Sequence, residues 1–528
     1  MPNSQCSNLA TAPWTFRFEL VSEAASIGFA ADIARVLQEG DVVALDGDLG
    51  AGKSTFARAL LRARADDPGL EVPSPTFTLV QTYEFEDLEI SHFDLYRIGD
   101  VEELYEIGFE ESWQSGAALI EWPDRAEDLM PQNALWLKIE TTKTPGMRRL
   151  TITADSNWEV RLLRICKKRN LLIRIGWGEA LLAPIDGDLS PRHYDRVTRL
   201  TLDGDGLPTT EPSNTQTGRA QSGILMDMPE RAPGPQLPDG RTYDGVAHRV
   251  TSLAPVITIS QGLHQLGLRV PSIYGFDLED GLMLWEDFGK ERLTDESGAP
   301  IAKRYLAVVR AIAHLHDIRI PKRLDGAGGS FDLPHYDLDA FTVELDVFLD
   351  HYWPHRHSCP CPEVDRLDYH ALWQPLLRYL TESERSLVLR DVQDPNCFWL
   401  GDALRAGSIG FIDYQDCLIG PSSYDLSALA LDARVTIPDD LEAEMLSYYI
   451  SLRKLDEERV KLLKAAYSVT AAQRTSKNLG AFARAANMAG RPAYLSHVPR
   501  SLKYLSKVLE HPLLSGLKDW YDSHDLLR

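Results

Sequence analysis

Nine residues, Gly47, Asp48, Leu49, Gly50, Ala51, Gly52, Lys53, Ser54 and Thr55, follow a short apolar run, Val42 to Leu45. Glycine at positions 47, 50 and 52 lets backbone N–H groups turn inward on an anion. A helix expected from about Lys53 to Ala65 aims its positive end at the same point. The Lys53 ammonium can reach the β and γ phosphates of a nucleotide, and the Ser54 hydroxyl can ligate Mg²⁺. The stretch Gly47 to Ser54 satisfies the P-loop pattern in full. A Gly-rich turn with a chance Lys-Ser is the competing explanation. The strand before it and the helix after it favour the nucleotide.

A P-loop needs a carboxylate near its metal. Asp94 ends the apolar run from Ile90, and Glu121 ends the run from Ala117. Acids at the carboxyl ends of parallel strands sit on the ligand-binding edge of such a sheet. A second set of residues has phosphoryl-transfer spacing. Asp391 and Asn396 stand five apart, and Asp413 follows Asn396 by seventeen. A kinase catalytic loop and its metal-binding Asp show this pattern. Asp391 would take the acceptor proton, while Asn396 and Asp413 would hold Mg²⁺.

These groups need elements to position them. At 528 residues the chain is too long for one ordinary core. Up to about residue 155 it alternates strands and helices, which predicts an α/β P-loop domain on a parallel sheet. Candidate strands are Val42 to Leu45, Ile90 to Tyr96 and Ala117 to Trp122. A boundary is expected between Ala154 and Trp158. Beyond it, residues 205–222 and 228–242 read as Pro-, Gly- and Ser-rich loops. Helices are expected at Tyr305 to His316 and Leu441 to Lys464. The expected domains are therefore 1–155 and 156–528, the latter an α+β two-lobed kinase-like fold. Its small lobe would cover about 158–290 and its helical lobe about 291–528.

The net charge of −23 gives no bulk attraction for a polyphosphate backbone, so any service to nucleic acid runs through a partner or a local patch. No apolar run can span a bilayer, and Met1 to Pro13 lacks the basic and apolar regions of a secretory signal. The six cysteines form no dense framework and read as free thiols. The expected setting is cytoplasmic.

Residues 15–155 resemble the TsaE family, the ATPase subunit of the bacterial machinery that makes threonylcarbamoyladenosine in tRNA. Four stretches carry the likeness: Gly47 to Thr55, Val72 to Phe77, His92 to Arg97, and Ile120 to Pro123. The resemblance implies Lys53 on phosphate, Ser54 and Glu121 around Mg²⁺, and Asp94 as a second essential carboxylate. It also implies a switch-like loop at Thr76 and a functional Trp122. ATP turnover would reset a complex with TsaD-like and TsaB-like proteins, so tRNA would be met only indirectly.

Residues 158–528 resemble the aminoglycoside phosphotransferase family, nearest its branch that phosphorylates cell-wall amino sugars. Gly187 to Tyr194, with Ser190 and Arg192, is similar to the loop over the ATP phosphates. Ile224 to Pro229 is similar to the third strand, and Leu284 to Asp287, with Glu286, to the hinge beside adenine. Asp413 to Asp416, Gly420-Pro421 and Tyr424 to Leu426 are similar to the metal segment and its following helix. The pattern departs at Leu389, where the family usually has His, and at Asp394-Pro395. No lysine marks the third strand, and that branch also carries Asp there. A sugar or amino sugar is the implied acceptor. An inactive binding or regulatory module, or a small-molecule kinase regulated by the P-loop domain, are the alternatives.

Weaker signals remain. His351, His355, His357, Cys359 and Cys361 crowd a Pro-containing stretch expected to be a loop, with alternation unlike the spaced pairs of zinc sites. His316 matches a family helix and reads as a packing residue. Arg161 to Lys168, with Arg169 and Arg174 behind, reads as a solvated basic face and is the best local candidate for a tRNA or partner contact.

Overall fold

The computed structural model describes residues 13–185, 192–202, 208–209, 222–401 and 407–528. The described residues fall into two compact units. One runs to Asp227 and includes Tyr274–Glu286; the other holds Met228–Ile273 and Asp287–Arg528.

In the first unit, β1 (Trp14–Leu20) alternates apolar and polar residues and buries Phe18 and Leu20. Ser22 caps α1 (Glu23–Val36) by accepting from the Ala25 N–H at 3.3 Å. Then come β2 (Val42–Asp46), α2 (Lys53–Ala65), β3 (Val80–Glu84), β4 (Glu89–Asp94), β5 (Ala117–Glu121), β6 (Leu135–Thr141) and β7 (Arg148–Ala154). The sheet order is β1-β7-β6-β2-β5-β4-β3. The four strands β6, β2, β5 and β4 are parallel, while β7, β1 and β3 are antiparallel to their neighbours. The expected parallel sheet is therefore mixed. The β3–β4 and β6–β7 links are too short for the crossover that parallel pairing needs. One face packs Phe29, Phe56 and Leu60; the other packs Phe93, Leu104 and Phe109.

Helix α3 (Ser156–Arg174) starts at the expected boundary, capped by Asp155, which accepts from Asn157 N at 3.1 Å and Trp158 N at 3.0 Å. It does not separate two cores but joins them. Its first half puts Trp158, Leu162 and Cys166 into the P-loop core. Its second half puts Leu171 and Leu172 against a five-stranded antiparallel sheet. That sheet comprises β8 (Ala180–Ile185), β9 (His193–Arg199), β10 (Ser222–Asp227), β11 (Ile273–Asp277) and β12 (Leu282–Glu286), ordered β11-β12-β10-β9-β8.

The basic run on α3 is not the solvated face expected from sequence. Arg161 pairs with Asp41 at 2.6 and 2.9 Å. Arg164 grips both Asp227 oxygens, at 2.9 and 3.0 Å through Nε. Lys168 reaches Asp195 at 2.7 Å and Asp227 at 3.0 Å. Arg169, 1% exposed, binds Asp32 and the carbonyls of Gly28 and Ala180. Acids from α1, from the residue before β2 and from β9 and β10 consume these cations, so they are not available for tRNA.

The second unit is mainly helical: α4 (Leu253–Gln265), α5 (Ala302–Asp317), α6 (Leu338–Val347), α7 (Ser423–Ala430), α8 (Asp439–Arg453) and α9 (Glu457–Met488). The expected Tyr305 to His316 helix lies within α5. The expected Leu441 to Lys464 helix is two, because Lys454 turns left-handed at φ 49° and Asp456 caps α9 by accepting from Arg459 N. The stretch expected as a loop is helical from Phe348 to His357 and ends at Ser358 with φ 57°. Among the described residues no group of three or more His, Cys, Asp or Glu side chains is arranged to hold a metal. The described cysteines are free thiols. None of the described helices is long and apolar enough to cross a membrane.

Two short ribbons organise the middle of this unit. Strand β13 (Arg385–Val388) pairs with β16 (Leu418–Pro421), and β14 (Cys397–Trp399) with β15 (Ile409–Phe411). The outer pair and the inner pair nest, so the loops that join them, 389–396 and 412–417, lie side by side.

Candidate active sites

The P-loop follows β2, a strand buried along all but its last residue. Gly47, Gly50 and Gly52 adopt φ of 149°, 78° and 110°, where a side chain is strained. A Cβ at Gly50 or Gly52 would meet nothing within 4 Å, whereas one at Gly47 would sit 2.3 Å from the Ile139 carbonyl. The loop thus leaves open backbone on the side of Gly50 and Gly52. Arg148 braces it from below, donating to Ala51 O at 2.7 Å. Asp48, Leu49 and Ala51 complete the turn; Leu49 is exposed and Ala51 is buried.

Lys53 donates to Gly47 O at 2.6 Å and Asp48 O at 3.1 Å, and its Nζ lies 3.5 Å from the centre of the Trp122 ring. Burial holds the ammonium below its usual pKa, against the pull of Glu121, Asp94, Asp46 and Asp48. Ser54 donates to Glu121 Oε2 at 2.8 Å, and Glu121 Oε1 meets His92 Nε2 at 3.0 Å. Parallel register sets Asp94 directly beside Glu121. Thr76 donates to Asp94 Oδ2, Ser74 reaches the same atom at 3.3 Å, and Tyr96 N donates to Oδ1 at 3.1 Å. Trp122, at φ 60°, turns the chain sharply after Glu121 and packs on Tyr96. Thr55 lines a cavity of 410 Å³ with Glu23, Ile27, Ala59 and Leu181.

In the second unit Asn396 Nδ2 donates to Asp391 O at 2.9 Å and lies 3.4 Å from Asp413 Oδ2. Gln415 donates to Asp413 Oδ1 at 2.9 Å. Left-handed Arg390 (φ 72°) and Asp413 (φ 59°) make the two bends that bring these groups together. The Asp391 side chain is one third exposed and pairs with Arg474 at 3.2 Å. Burial opposes its charge, but Arg474, Lys477, Arg249 and Arg390 outweigh that and hold the carboxyl below its ordinary pKa. Behind it, buried Glu344 accepts from Arg390, Lys477 (2.8 Å), Gln473 (3.0 Å) and Tyr336 (2.8 Å).

Arg192 stands just before β9, and Glu286 ends β12 opposite Gly223. Both belong to the first unit. Ser190 and the rest of Gly187 to Pro191 lie outside the described residues. Asp227, in the strand without a lysine, is held ionised by Arg164 and Lys168 against the cost of its burial. Leu389 replaces the usual His, yet the loop keeps support: Asp425 accepts from Leu389 N at 2.8 Å and Arg390 N at 2.9 Å. His316 is buried against Tyr449, at 2.8 Å.

Sequence reasoning missed His92, Ser74, Arg148, Glu344, Arg474 and Gln415. His92 had a signal: two residues before Asp94 on a strand, it shares that residue's face. Glu344 and Arg474 had none, because distant helices deliver them.

Residues 20–150 match the family described as threonylcarbamoyl adenosine biosynthesis protein TsaE, and residues 241–463 match the phosphotransferase enzyme family. A TsaE protein of Rickettsia typhi is 40% identical over 111 residues, 21% of this chain and 76% of that protein. For a Rickettsia felis TsaE protein the figures are 39% over 108 residues, 20% of this chain and 63% of that one. An N-acetylmuramate/N-acetylglucosamine kinase of Caulobacter vibrioides is 29% identical over 376 residues, 68% of this chain and 96% of that protein. The P-loop with its mixed sheet and the nested-ribbon loops are thus the two halves of one fusion: the chain belongs to the TsaE family through its N-terminal domain, and carries behind it a phosphotransferase-family domain resembling N-acetylmuramate/N-acetylglucosamine kinases.

Proposed function

We propose that the N-terminal domain hydrolyses ATP in the formation of tRNA threonylcarbamoyladenosine, with TsaD-like and TsaB-like partners. The C-terminal domain transfers phosphate from ATP to an amino sugar of the N-acetylmuramate or N-acetylglucosamine type. The functional boundary lies near residue 155, with lobes of the kinase at about 158–290 and 291–528. The observation that carries the first activity is the convergence of Lys53, Ser54, Glu121 and Trp122 around open P-loop backbone. For the second it is the meeting of Asp391, Asn396 and Asp413.

Hydroxyl and carboxylate oxygens at Ser54 and Glu121 suit Mg²⁺, as do the Asp413 carboxylate and the amide oxygen of Asn396. When bound, the ion neutralises charge on the phosphates. Lys53, now on two loop carbonyls, would exchange them for phosphate oxygens. Thr76 on Asp94 ties the loop after α2 to the carboxylate beside Glu121, so a nucleotide that draws on Asp94 would also move Thr76. In the kinase, Asp391 is held as the anion and orients the acceptor hydroxyl. It takes the proton late, as the phosphoryl group arrives, which a weak base can do in a loose transition state.

Lys53→Ala or Glu121→Ala is expected to abolish ATP hydrolysis in the presence of the partner proteins. Asp391→Ala is expected to abolish phosphate transfer to amino sugars. Normal tRNA modification in cells carrying only Lys53→Ala, or no transfer to any sugar by the unmodified chain, would refute the respective half.

A further inference from the structure

Four cations act on Asp391, and three of them are already held by hydrogen bonds or ion pairs. Arg390 binds Glu344 and donates to Ala247 O at 2.7 Å. Lys477 binds Glu344 at 2.8 Å. Arg474 binds Asp391 at 3.2 Å and Arg390 O at 2.8 Å. The fourth, Arg249, is exposed, and its guanidinium makes no hydrogen bond or ion pair among the described residues. Its nearest ring contact is Tyr243, at 5.8 Å.

Its position is fixed from both sides. Ala247, two residues before it, is tied to Arg390, the neighbour of Asp391. Val250, the next residue, donates its N–H to Asp416 Oδ1 at 2.8 Å, three residues past Asp413. Arg249 N donates to Asp244 O at 2.7 Å, which closes the turn behind it. A loop hydrogen-bonded on both sides therefore presents a guanidinium with open N–H donors between the catalytic loop and the end of the metal segment. Arg249 is also among the charges that keep Asp391 ionised. The Asp416 and Asp391 carboxylates favour the Arg249 charge without hydrogen-bonding to it, so its N–H donors stay open to a further anion.

We propose that Arg249 receives the carboxylate of an acidic amino-sugar acceptor and so sets the preference for a carboxylated sugar over its neutral parent. This rests on the amino-sugar kinase reading. The acceptor hydroxyl must lie at Asp391, so a guanidinium held beside that residue meets the acceptor's substituents. A planar fork of N–H donors matches a carboxylate in two parallel hydrogen bonds.

N-acetylmuramate and N-acetylglucosamine differ by one lactyl ether that carries a carboxylate, so they isolate the contact. The experiment measures initial rates of phosphate transfer from ATP by the full chain to each sugar, with calorimetric titration of each sugar alone. For Arg249→Ala, KM and Kd for N-acetylmuramate should rise ~10- to 100-fold, as expected for loss of a charge-assisted pair. The values for N-acetylglucosamine should move by about threefold or less, on the same reasoning. Arg249→Lys should recover part of the loss, because it keeps the charge without the fork. Equal losses on both sugars, or a fall in kcat with KM unmoved, would place Arg249 on the transferred phosphate and overturn the assignment. Tight, Arg249-dependent binding of N-acetylmuramate without transfer by the unmodified chain would refute the kinase reading and support the carboxylate site. Binding of neither sugar would overturn both.

Discussion

Removal of Arg169 tests whether α3 welds the P-loop sheet to the five-stranded sheet. Arg169 and Asp32 are each 1% exposed. Arg169→Met would leave Asp32 with one partner, Arg35, whose side chain is 38% exposed. The carbonyls of Gly28 and Ala180 would lose a donor as well. Breaking a buried pair from one side costs about 3–5 kcal/mol, and Arg35 argues for the lower end. Replacing both partners with apolar residues is often close to neutral, so Arg169→Met with Asp32→Leu should recover most of the loss. The assay is amide hydrogen exchange across α3 in the full chain, since local opening reports local stability. A deficit of about 3 kcal/mol speeds exchange more than a hundredfold. The double variant should return to within about tenfold of the unmodified chain. Exchange in Arg169→Met within a factor of about three of the unmodified chain would refute the shared core, as would a double variant no slower than the single.

Two further tests concern the sites. Glu344→Gln should destabilise the second unit by about 3–5 kcal/mol at pH 7, because Arg390 and Lys477 lose their shared counter-charge in a buried place. Those cations hold the Glu344 pKa well below its ordinary value against burial, so its stabilisation is complete above the unfolded carboxylate range and is lost as pH falls through the depressed value. The gap between variant and unmodified chain, read from urea midpoints, should therefore narrow below about pH 4; a gap independent of pH would sink this account. Gly47→Ala combines a φ of 149° with a Cβ 2.3 Å from Ile139 O, a backbone atom that cannot swing aside. It should cost about 1–3 kcal/mol and abolish nucleotide binding, followed through the Trp122 ring that covers Lys53. Unchanged nucleotide affinity would show that the loop tolerates a different path.

How much was legible in advance depended on the distance in sequence over which each feature is built. The P-loop and α2 are local: glycine spacing, a buried strand and a helix start are written within about twenty residues, and the helix spans Lys53 to Ala65 as expected. Asp391, Asn396 and Asp413 were found by spacing, which the nested ribbons translate into proximity. The mixed sheet was missed because apolar runs do not record strand direction, which here is set by the short β3–β4 and β6–β7 links. The break between α8 and α9 was missed for a similar reason. Lys454 and Asp456 act through a left-handed turn and a cap that helical periodicity does not register.

The basic run on α3 shows the opposite failure, a strong local signal with the wrong meaning. Five cations within nine residues look like a surface for a polyanion only while their partners are unknown. Asp32, Asp41, Asp195 and Asp227 are scattered over nearly two hundred positions, and each is buried. The fold pairs every one with Arg161, Arg164, Lys168 or Arg169. Third-strand Asp227 makes the point most clearly. The strand lacks a lysine, and the charge pair is reversed, with the acid on the sheet and the bases on a helix that also belongs to the P-loop core. A helix committed to two cores cannot be cut between them without exposing both. At the sequence boundary, Ala154 to Trp158, there is therefore no break between cores, because the helix that begins there is buried in both. A fragment beginning near residue 157 would keep α3 but lose the sheet against which Trp158, Leu162 and Cys166 are buried, so the kinase-like half is best assayed in the full chain.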